Sequence, residues 1–242
     1  MKQYNLVLGL CIAFLGWTSC DLDDPDLGVA AADVITLSAT DTDLVANGET
    51  SVVLTAELGR ASEPNLAITF TTTSGTFLEA DDSDTYTVAA SGRTATATLV
   101  SATEVNENVV VTATVDAPNG GNSLPFKATR NLKFTRAFPE NMIFSSDKLF
   151  VTNNGFDGAN LCVQLFRNIG MVSANMQVNF EAIMLDSAMV SLVPFSFTDD
   201  NAKATNIVRS ANLKKGQVAI VAEVLQENGM FLRDTLEINI VD

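Results

Sequence analysis

The stretch ITLSATDTDLVANGETSVVLTAEL, residues 35–58, alternates apolar and polar side chains in two runs separated by a turn. In the second run, Val52, Leu54 and Ala56 fall on one side and the residues between them on the other. Alternation with a period of two is the pattern of a strand that buries one face. The Asn-Gly pair in ANGET, residues 46–50, suits the turn. The stretch therefore predicts two half-buried strands.

Similar runs continue to Thr135. They are the segments LAITFTTTSG (66–75), TYTVAA (85–90), RTATATLVS (93–101), NVVVTATVD (108–116) and FKATRNLKFT (126–135). Seven or so short strands with frequent turns are typical of an antiparallel β-sandwich. No stretch keeps a helical period over three turns, so the predicted fold class is all-β.

The pattern then restarts after RAFPEN, residues 136–141. MQVNFEAIM (176–184) repeats the alternation of the segment at 66–75, and the segment at 203–224 repeats the spacing of the one at 93–115. The offset is about 108 residues throughout, which indicates a tandem duplication of one domain type. We therefore predict one domain over 34–135, a short linker over 136–141 and a second domain over 142–242.

Composition excludes several functions. The formal net charge is −15 and there is no histidine. A chain this acidic repels phosphate groups, so nucleic acid is not expected as a partner. Without histidine the common catalytic triads and zinc sites are absent. Two small sandwiches also offer little cleft for a pair of catalytic carboxylates. We therefore predict no enzyme activity, no catalytic residue and no cofactor.

The N-terminus has the parts of a secretory signal peptide over residues 1–19. Lys2 precedes an apolar stretch from Leu6 to Trp17, and small polar residues lead to Cys20. The apolar stretch is shorter than the roughly 20 residues that span a bilayer. Residues 20–33 are acidic and lack periodicity, which predicts a tether. Since Cys11 leaves with the leader, Cys162 is the remaining thiol if Cys20 is modified; we expect it to be buried and inert.

LGWTSC followed by DLDDPD resembles a bacterial lipoprotein leader of the type found in Bacteroidetes. That resemblance implies that Cys20 is the lipid attachment site and that the protein is anchored in the outer membrane, facing the cell surface. In enteric bacteria an aspartate after the cysteine instead resembles an inner-membrane retention signal. The membrane is thus an expected partner through the N-terminal lipid, and the surface is the favoured location.

The segments at 35–58, 68–77 and 94–115 also resemble the bacterial immunoglobulin-like domains of invasin and intimin. The phrases NG…V.LTA and I.F.T..G.F carry the resemblance, which covers about 34–135. The second repeat matches only in pattern. The resemblance implies two tandem immunoglobulin-like sandwiches and a stalk-like, adhesive protein. It implies architecture more than a particular partner.

Two ligand classes have candidate residues. The loop EADDSD places Asp81, Asp82 and Asp84 close together, and such oxygen ligands suit calcium, although the spacing matches no EF-hand and a solvated loop is the commoner outcome. For glycans, Phe138 and Phe156 are the best candidates for exposed rings, although capping the end of its own sandwich is the more common role for each. Phe70, Phe180 and Phe231 are expected to lie in the cores.

The leading hypothesis is a non-enzymatic cell-surface lipoprotein, a two-domain rod that serves as adhesin, spacer or accessory subunit of a surface complex. The alternative is a glycan- or polymer-binding module of a nutrient-uptake system. A pilus-type subunit joined by strand exchange is a third possibility, but no donor strand is evident. The partner, whether protein or glycan, is not identified by the sequence.

Overall fold

The computed structural model describes residues 30–116 and 125–242. In this part of the chain, strands dominate, accompanied by one helical turn, Ala31–Val34 (α1), and one 3-10 turn, Leu78–Ala80. No helix among these residues has the length and apolarity needed to cross a membrane. The all-β prediction is confirmed.

Nine strands make up the first sandwich, residues 31–136. They are β1 Ile35–Ala39, β2 Asp43–Ala46, β3 Ser51–Leu58, β4 Ala67–Thr72, β5 Thr76–Phe77, β6 Thr85–Ala89, β7 Thr94–Val100, β8 Asn106–Val115 and β9 Phe126–Arg136. One layer has the order β1-β3-β7-β5 and the other the order β2-β9-β8-β4-β6. All pairings are antiparallel except that of β2 with β9.

Nine further strands make up the second sandwich, residues 141–241. They are β10 Asn141–Ser146, β11 Phe150–Thr152, β12 Gly158–Phe166, β13 Gln177–Met184, β14 Val190–Ser191, β15 Phe195–Phe197, β16 Lys203–Ser210, β17 Gly216–Leu225 and β18 Phe231–Val241. Their orders, β10-β12-β16-β14 and β11-β18-β17-β13-β15, reproduce those of the first sandwich strand for strand. The one parallel pair, β11 with β18, falls at the same place.

Each sandwich has its own hydrophobic cluster between its two layers. In the first, Phe70, Phe77 and Tyr86 lie together, with ring centroids 6.3 to 6.5 Å apart. In the second, Phe144 and Phe180 lie 6.1 Å apart. Alternating strand residues from both layers supply the rest, as the period of two requires.

Some details differ from the sequence prediction. Four short strands, β2, β5, β14 and β15, were not expected, because two to four residues are too few to show alternation. Phe231 was expected in the core, yet it is exposed because Leu232 takes the inward position on β18. The helical turn α1 also overlaps the end of the predicted tether, and Val34 is already buried.

Candidate functional site

Two segments form a joint between the sandwiches. The connection from β9 to β10, residues 137–140, is one, and the loop from β12 to β13, residues 167–176, is the other. From this loop, the Met171 amide donates to the Asn47 carbonyl at 2.8 Å and the Ala174 amide to the Thr103 carbonyl at 3.3 Å. The joint therefore rests on two loops of the first sandwich, not on the connecting residues alone.

Ser173 is the centre of the joint and is fully buried. Its hydroxyl donates to the Ala46 carbonyl at 2.9 Å and accepts from the Ala137 amide at 2.8 Å. Its own amide donates to the Ala137 carbonyl at 3.0 Å. One side chain thus satisfies polar groups from the first sandwich and from the connection, which would be costly to leave unpaired when buried.

Gly170 lets the loop approach the first sandwich. Its φ is +66°, and an added Cβ would lie 2.5 Å from the carbonyl oxygen of Asn47. A side chain would therefore face both a strained backbone and a clash with main chain. Nearby, Arg167 donates to the Phe138 carbonyl and lies 4.0 Å from Glu140, which fixes the connecting residues as well.

Strand registers show that the joint is end to end. Arg136 at the end of β9 pairs with Ala46 at the end of β2, so the joint lies at the end of the first sandwich opposite Ile35, where β1 begins. In the second sandwich, Asn141 pairs with Phe166 at the joint. The loops at 153–157, 185–189 and 211–215, with the final residues, lie at the far end. Val34 and Val241 therefore lie at opposite ends of the pair.

At the far end, a tight turn holds Phe156. The Asn154 Oδ1 atom accepts from the amides of Phe156 and Asp157 at 2.9 and 2.8 Å. Asp157 in turn bonds to the Lys148 ammonium and accepts from the Thr152 amide at 2.9 Å. The hydrogen bond from Lys148, and to a smaller extent that from the Thr152 amide, lowers the pKa of Asp157 to about 2. Although its backbone is held, the Phe156 side chain is 89% exposed.

The same turn occurs in the first sandwich with different side chains. There, Asn47 Oδ1 accepts from the amides of Glu49 and Thr50, and Gly48 has φ +76°, against +75° for Gly155. Glu49 thus occupies the position of Phe156. In the first sandwich this turn lies against the joint, whereas in the second it faces outward.

Loops next to this turn extend the apolar surface. Asn153 Nδ2 donates to the Leu213 carbonyl at 3.4 Å, and the Ala211 amide donates to the Met189 carbonyl at 2.8 Å. Leu213, 64% exposed, stands where the first sandwich has Glu104. We call this region the far-end surface: Phe156, Leu185, Met189 and Leu213, with Lys148, Lys214 and Lys215 beside them.

Exposed apolar side chains are unevenly divided between the sandwiches. Among the described residues of the first, the large exposed ones are Val53, Leu78 and Val105. The second exposes many more, at the far end and on its sheet faces. Contiguous exposed apolar surface marks a contact site more often than single exposed residues do. The second sandwich is therefore the candidate contact domain.

The predicted site residues have different outcomes. Cys20 lies outside the described residues. Cys162 is half-buried on the outward side of β12, not buried as expected, because Leu161 and Val163 take the inward positions. Phe156 does not cap its sandwich, whereas Phe138 packs against the second core as a cap would.

Asp81 and Asp82 both adopt left-handed backbone conformations in the loop that follows the 3-10 turn. Asp84 accepts a hydrogen bond from Thr85. Within 30–116 and 125–242, no group of three or more Asp, Glu or Cys side chains is placed to hold a metal ion. The calcium hypothesis stays a prediction, to be tested by thermal melts with millimolar calcium.

Sequence reasoning missed Leu213 and the exposed rings of Phe195 and Phe197. The alternation in PFSF, residues 194–197, was the available signal, because it places both rings on one face of a strand. Ser173 and Gly170 carried no such signal. Their role depends on the approach of residues more than a hundred positions away.

No protein-family model and no curated protein matches this chain. Among solved structures, the adhesin InvE of Yersinia pseudotuberculosis is 22% identical with a TM-score of 0.54, over 87% of this chain and 60% of that one. Invasin, described as a bacterial integrin-binding protein, is 13% identical with a TM-score of 0.58, over 86% of this chain and 39% of that one. The chain thus spans less than two thirds of either. These similarities show the shared immunoglobulin-like fold that the sequence predicted.

Proposed function

We propose that the chain is a non-enzymatic cell-surface protein of the adhesin type, which contacts a partner protein through its far-end surface. The observation that carries the proposal is Phe156, 89% exposed on a hydrogen-bonded turn where the first sandwich has Glu49. In the free protein, exposing an apolar ring to water at that position is unfavourable. Burying the ring against a partner removes that cost, which favours the complex.

The geometry of the turn favours tight contact. Because the backbone of Phe156 is already fixed, binding orders little beyond the ring itself. Aromatic anchors surrounded by smaller apolar groups commonly carry most of the energy of protein–protein contacts. The ion pairs Lys148–Asp157 and Lys215–Asp242 supply a polar rim that is nearly neutral. A protein partner with an apolar pocket suits this surface.

The joint supports a role in display. It holds the sandwiches end to end, so the far-end surface lies at the opposite end of the pair from Val34, where the first sandwich begins. In this proposal Cys20 carries the lipid, residues 21–29 form the tether, and the far end projects from the outer membrane. The similarity to adhesin folds agrees with such a role but does not identify the partner.

Site-specific photo-crosslinking tests the contact. A photoreactive phenylalanine analogue replaces Phe156 in the full chain on intact source cells, and the matched control carries it at Leu78, exposed by 63% in the first sandwich. We expect one dominant protein adduct from position 156, its loss when Leu213→Ser is added, and no such adduct from position 78. Equal adducts from both positions, or none from 156, would favour a spacer role instead.

Fractionation tests the anchor separately. We expect the full chain to partition with outer membranes, with a diacylglyceryl group on Cys20 by mass spectrometry, and Cys20→Ala to abolish both. An unmodified, uncleaved N-terminus would contradict the lipoprotein proposal without affecting the far-end contact.

A further inference from the structure

A second surface of the second sandwich has the chemistry of a ligand site. Phe195 and Phe197 lie on the same face of the edge strand β15, 45% and 54% exposed, with ring centroids 5.7 Å apart and ring planes at 74°. Aromatic side chains lose favourable burial when they stay in water, so an exposed pair on an ordered strand needs an explanation. This surface lies towards the joint, away from Phe156.

Amide side chains stand directly beside the rings. Phe195 pairs across the strands with Asn179 and Phe197 with Gln177, so all four side chains share one face. The Gln177 amide donates to Asn179 Oδ1 at 2.7 Å. Within the described residues, the side-chain oxygen Oε1 of Gln177 and the side-chain nitrogen Nδ2 of Asn179 form no hydrogen bond. One acceptor and one donor are therefore available next to two rings.

The row of outward-facing side chains continues across β17 and β18, where one acidic and one basic residue cancel each other's charge. Asn179 pairs with Glu223, which pairs with Arg233, and the Arg233 guanidinium lies 2.6 Å from the Glu223 carboxylate. Beside them, Leu225 pairs with Phe231, and both are exposed. Three strand spacings make this face about 14 Å wide. We call it the aromatic face: Gln177, Asn179, Phe195, Phe197, Glu223, Leu225, Phe231 and Arg233.

A shallow cleft adjoins the aromatic face at Phe195. It encloses about 580 Å³ and is lined by Asn160, Val193, Phe195, Ser196, Thr205, Asn206 and Ile207. None of these side chains is charged. The Ser196 hydroxyl is buried and, among the described residues, has no hydrogen-bond partner. Buried hydroxyls are normally paired, so the Ser196 hydroxyl is an unsatisfied polar group beside the cleft.

The first sandwich shows that the fold does not require this chemistry. At the equivalent positions, Thr87 pairs with Thr69, and Ala89 with Ala67. Thr69 then pairs with Thr114 on β8. The same strands in the same register thus present small side chains and no ring. The rings and amides of the second sandwich are additions to the fold, not consequences of it.

We propose that the aromatic face binds a neutral oligosaccharide. Sugar rings offer C–H faces that pack on aromatic rings and hydroxyls that pair with amides, which is the combination found here. An anionic ligand is disfavoured because the chain carries −15 and Arg233 is already paired. A purely apolar partner would leave the donor and acceptor of Asn179 and Gln177 unpaired. This site is independent of the far-end surface.

Affinity electrophoresis tests the proposal. The chain from residue 21 to 242, which omits the expected leader and Cys20, runs in native gels containing xyloglucan, galactomannan, mixed-linkage β-glucan, inulin or the acidic control polygalacturonate. We expect retardation by at least one neutral polysaccharide. The double variant Phe195→Ala/Phe197→Ala is expected to weaken the apparent affinity at least tenfold, while Phe166→Ala, which removes an exposed ring from the other sheet, leaves it unchanged.

The variants must stay folded for the comparison of their affinities to hold. Because Phe195 and Phe197 are exposed, their removal is expected to leave the melting temperature near that of the parent, which a thermal melt checks. Weakening by Gln177→Ala/Asn179→Ala would further support the proposal. It is overturned if no neutral polysaccharide retards the chain, if polygalacturonate alone does, or if the Phe195→Ala/Phe197→Ala variant binds as the parent does.

Discussion

The first and second sandwiches have the same nine-strand order but expose different side chains. Inward positions are similar: Ile68 and Phe70 of the first correspond to Val178 and Phe180 of the second, and all four are buried. Outward positions diverge. Sheet faces rich in threonine and alanine in the first become aromatic and amide-bearing in the second. The fold thus constrains the core, while its outer faces are free to acquire binding chemistry.

The ends of the sandwiches diverge in the same way. In the first sandwich, the end that carries Glu49 and Glu104 lies against the joint. The equivalent end of the second carries Phe156 and Leu213 and faces solvent. One turn geometry therefore serves as an internal contact in one copy and as the far-end surface in the other.

Removing a core ring from either sandwich is expected to have the largest effect. Phe70→Ala and Phe180→Ala each delete a buried ring, and each should lower the free energy of unfolding by about 3 to 5 kcal/mol. Because the hydrophobic clusters are separate, differential scanning calorimetry should show that each variant lowers the transition of its own sandwich. One transition that shifts equally with both variants would contradict independent cores.

Gly170→Ala is expected to come next. The left-handed backbone and the loss of the Met171–Asn47 hydrogen bond together should cost about 2 to 3 kcal/mol. The matched control is Gly92→Ala, which also has φ +66° but nothing within 4 Å of the added methyl group. Chemical denaturation of both variants separates the backbone cost from the clash. Equal losses of stability would show that the close approach to Asn47 does not matter.

Ser173→Ala probes the joint without changing the backbone. It leaves the Ala46 carbonyl and the Ala137 amide without their buried partner, at a cost of about 1 to 3 kcal/mol. Small-angle scattering should then show a broader distribution of distances between the sandwiches. Ser187→Ala, at an exposed position, is the control. An unchanged scattering profile for Ser173→Ala would mean that other contacts suffice to align the pair.

Acidification should weaken the far-end turn of the second sandwich. The pKa of Asp157 is lowered from 3.8 to about 2, so its ionised form stabilises the far-end turn above pH 3.8. That contribution is lost as the pH falls from 3.8 towards 2. The first sandwich has Thr50 at this position. Amide signals of Phe156 in NMR spectra should therefore shift as the pH falls through this range, and Asp157→Asn should remove that shift.

Much of the fold could be predicted from residue patterns, and the predictions that failed did so for physical reasons. Alternation identified the long strands because they bury every second residue over several successive positions, as β3 and β12 do. It failed for β5 and β14, which have two residues each and are held by pairing with β7 and β16. Phe231 was misplaced because alternation on β18 starts one residue later than the ring suggests.

The contact surfaces were less predictable for a different reason. The turn that carries Phe156 is visible in the sequence, but the sequence alone did not decide whether the ring is exposed or caps the sandwich. The joint depends on Ser173 meeting Ala46, and no local pattern encodes that meeting. Likewise, Phe195 beside Asn179 is a relation between strands, and it becomes visible only once the register is known.

The parallel pairing of β2 with β9 has a mechanical consequence. The chain enters the first sandwich at the end near Ile35 and leaves it at Arg136, while the ladder from Asp43–Lys133 to Ala46–Arg136 runs along the same axis. A pull between the two ends slides one strand along the other, so the hydrogen bonds of the ladder share the load instead of opening one after another. The second sandwich repeats this arrangement with β11 and β18. The described part of the molecule is thus arranged to bear tension along the line that joins Val34 to Val241.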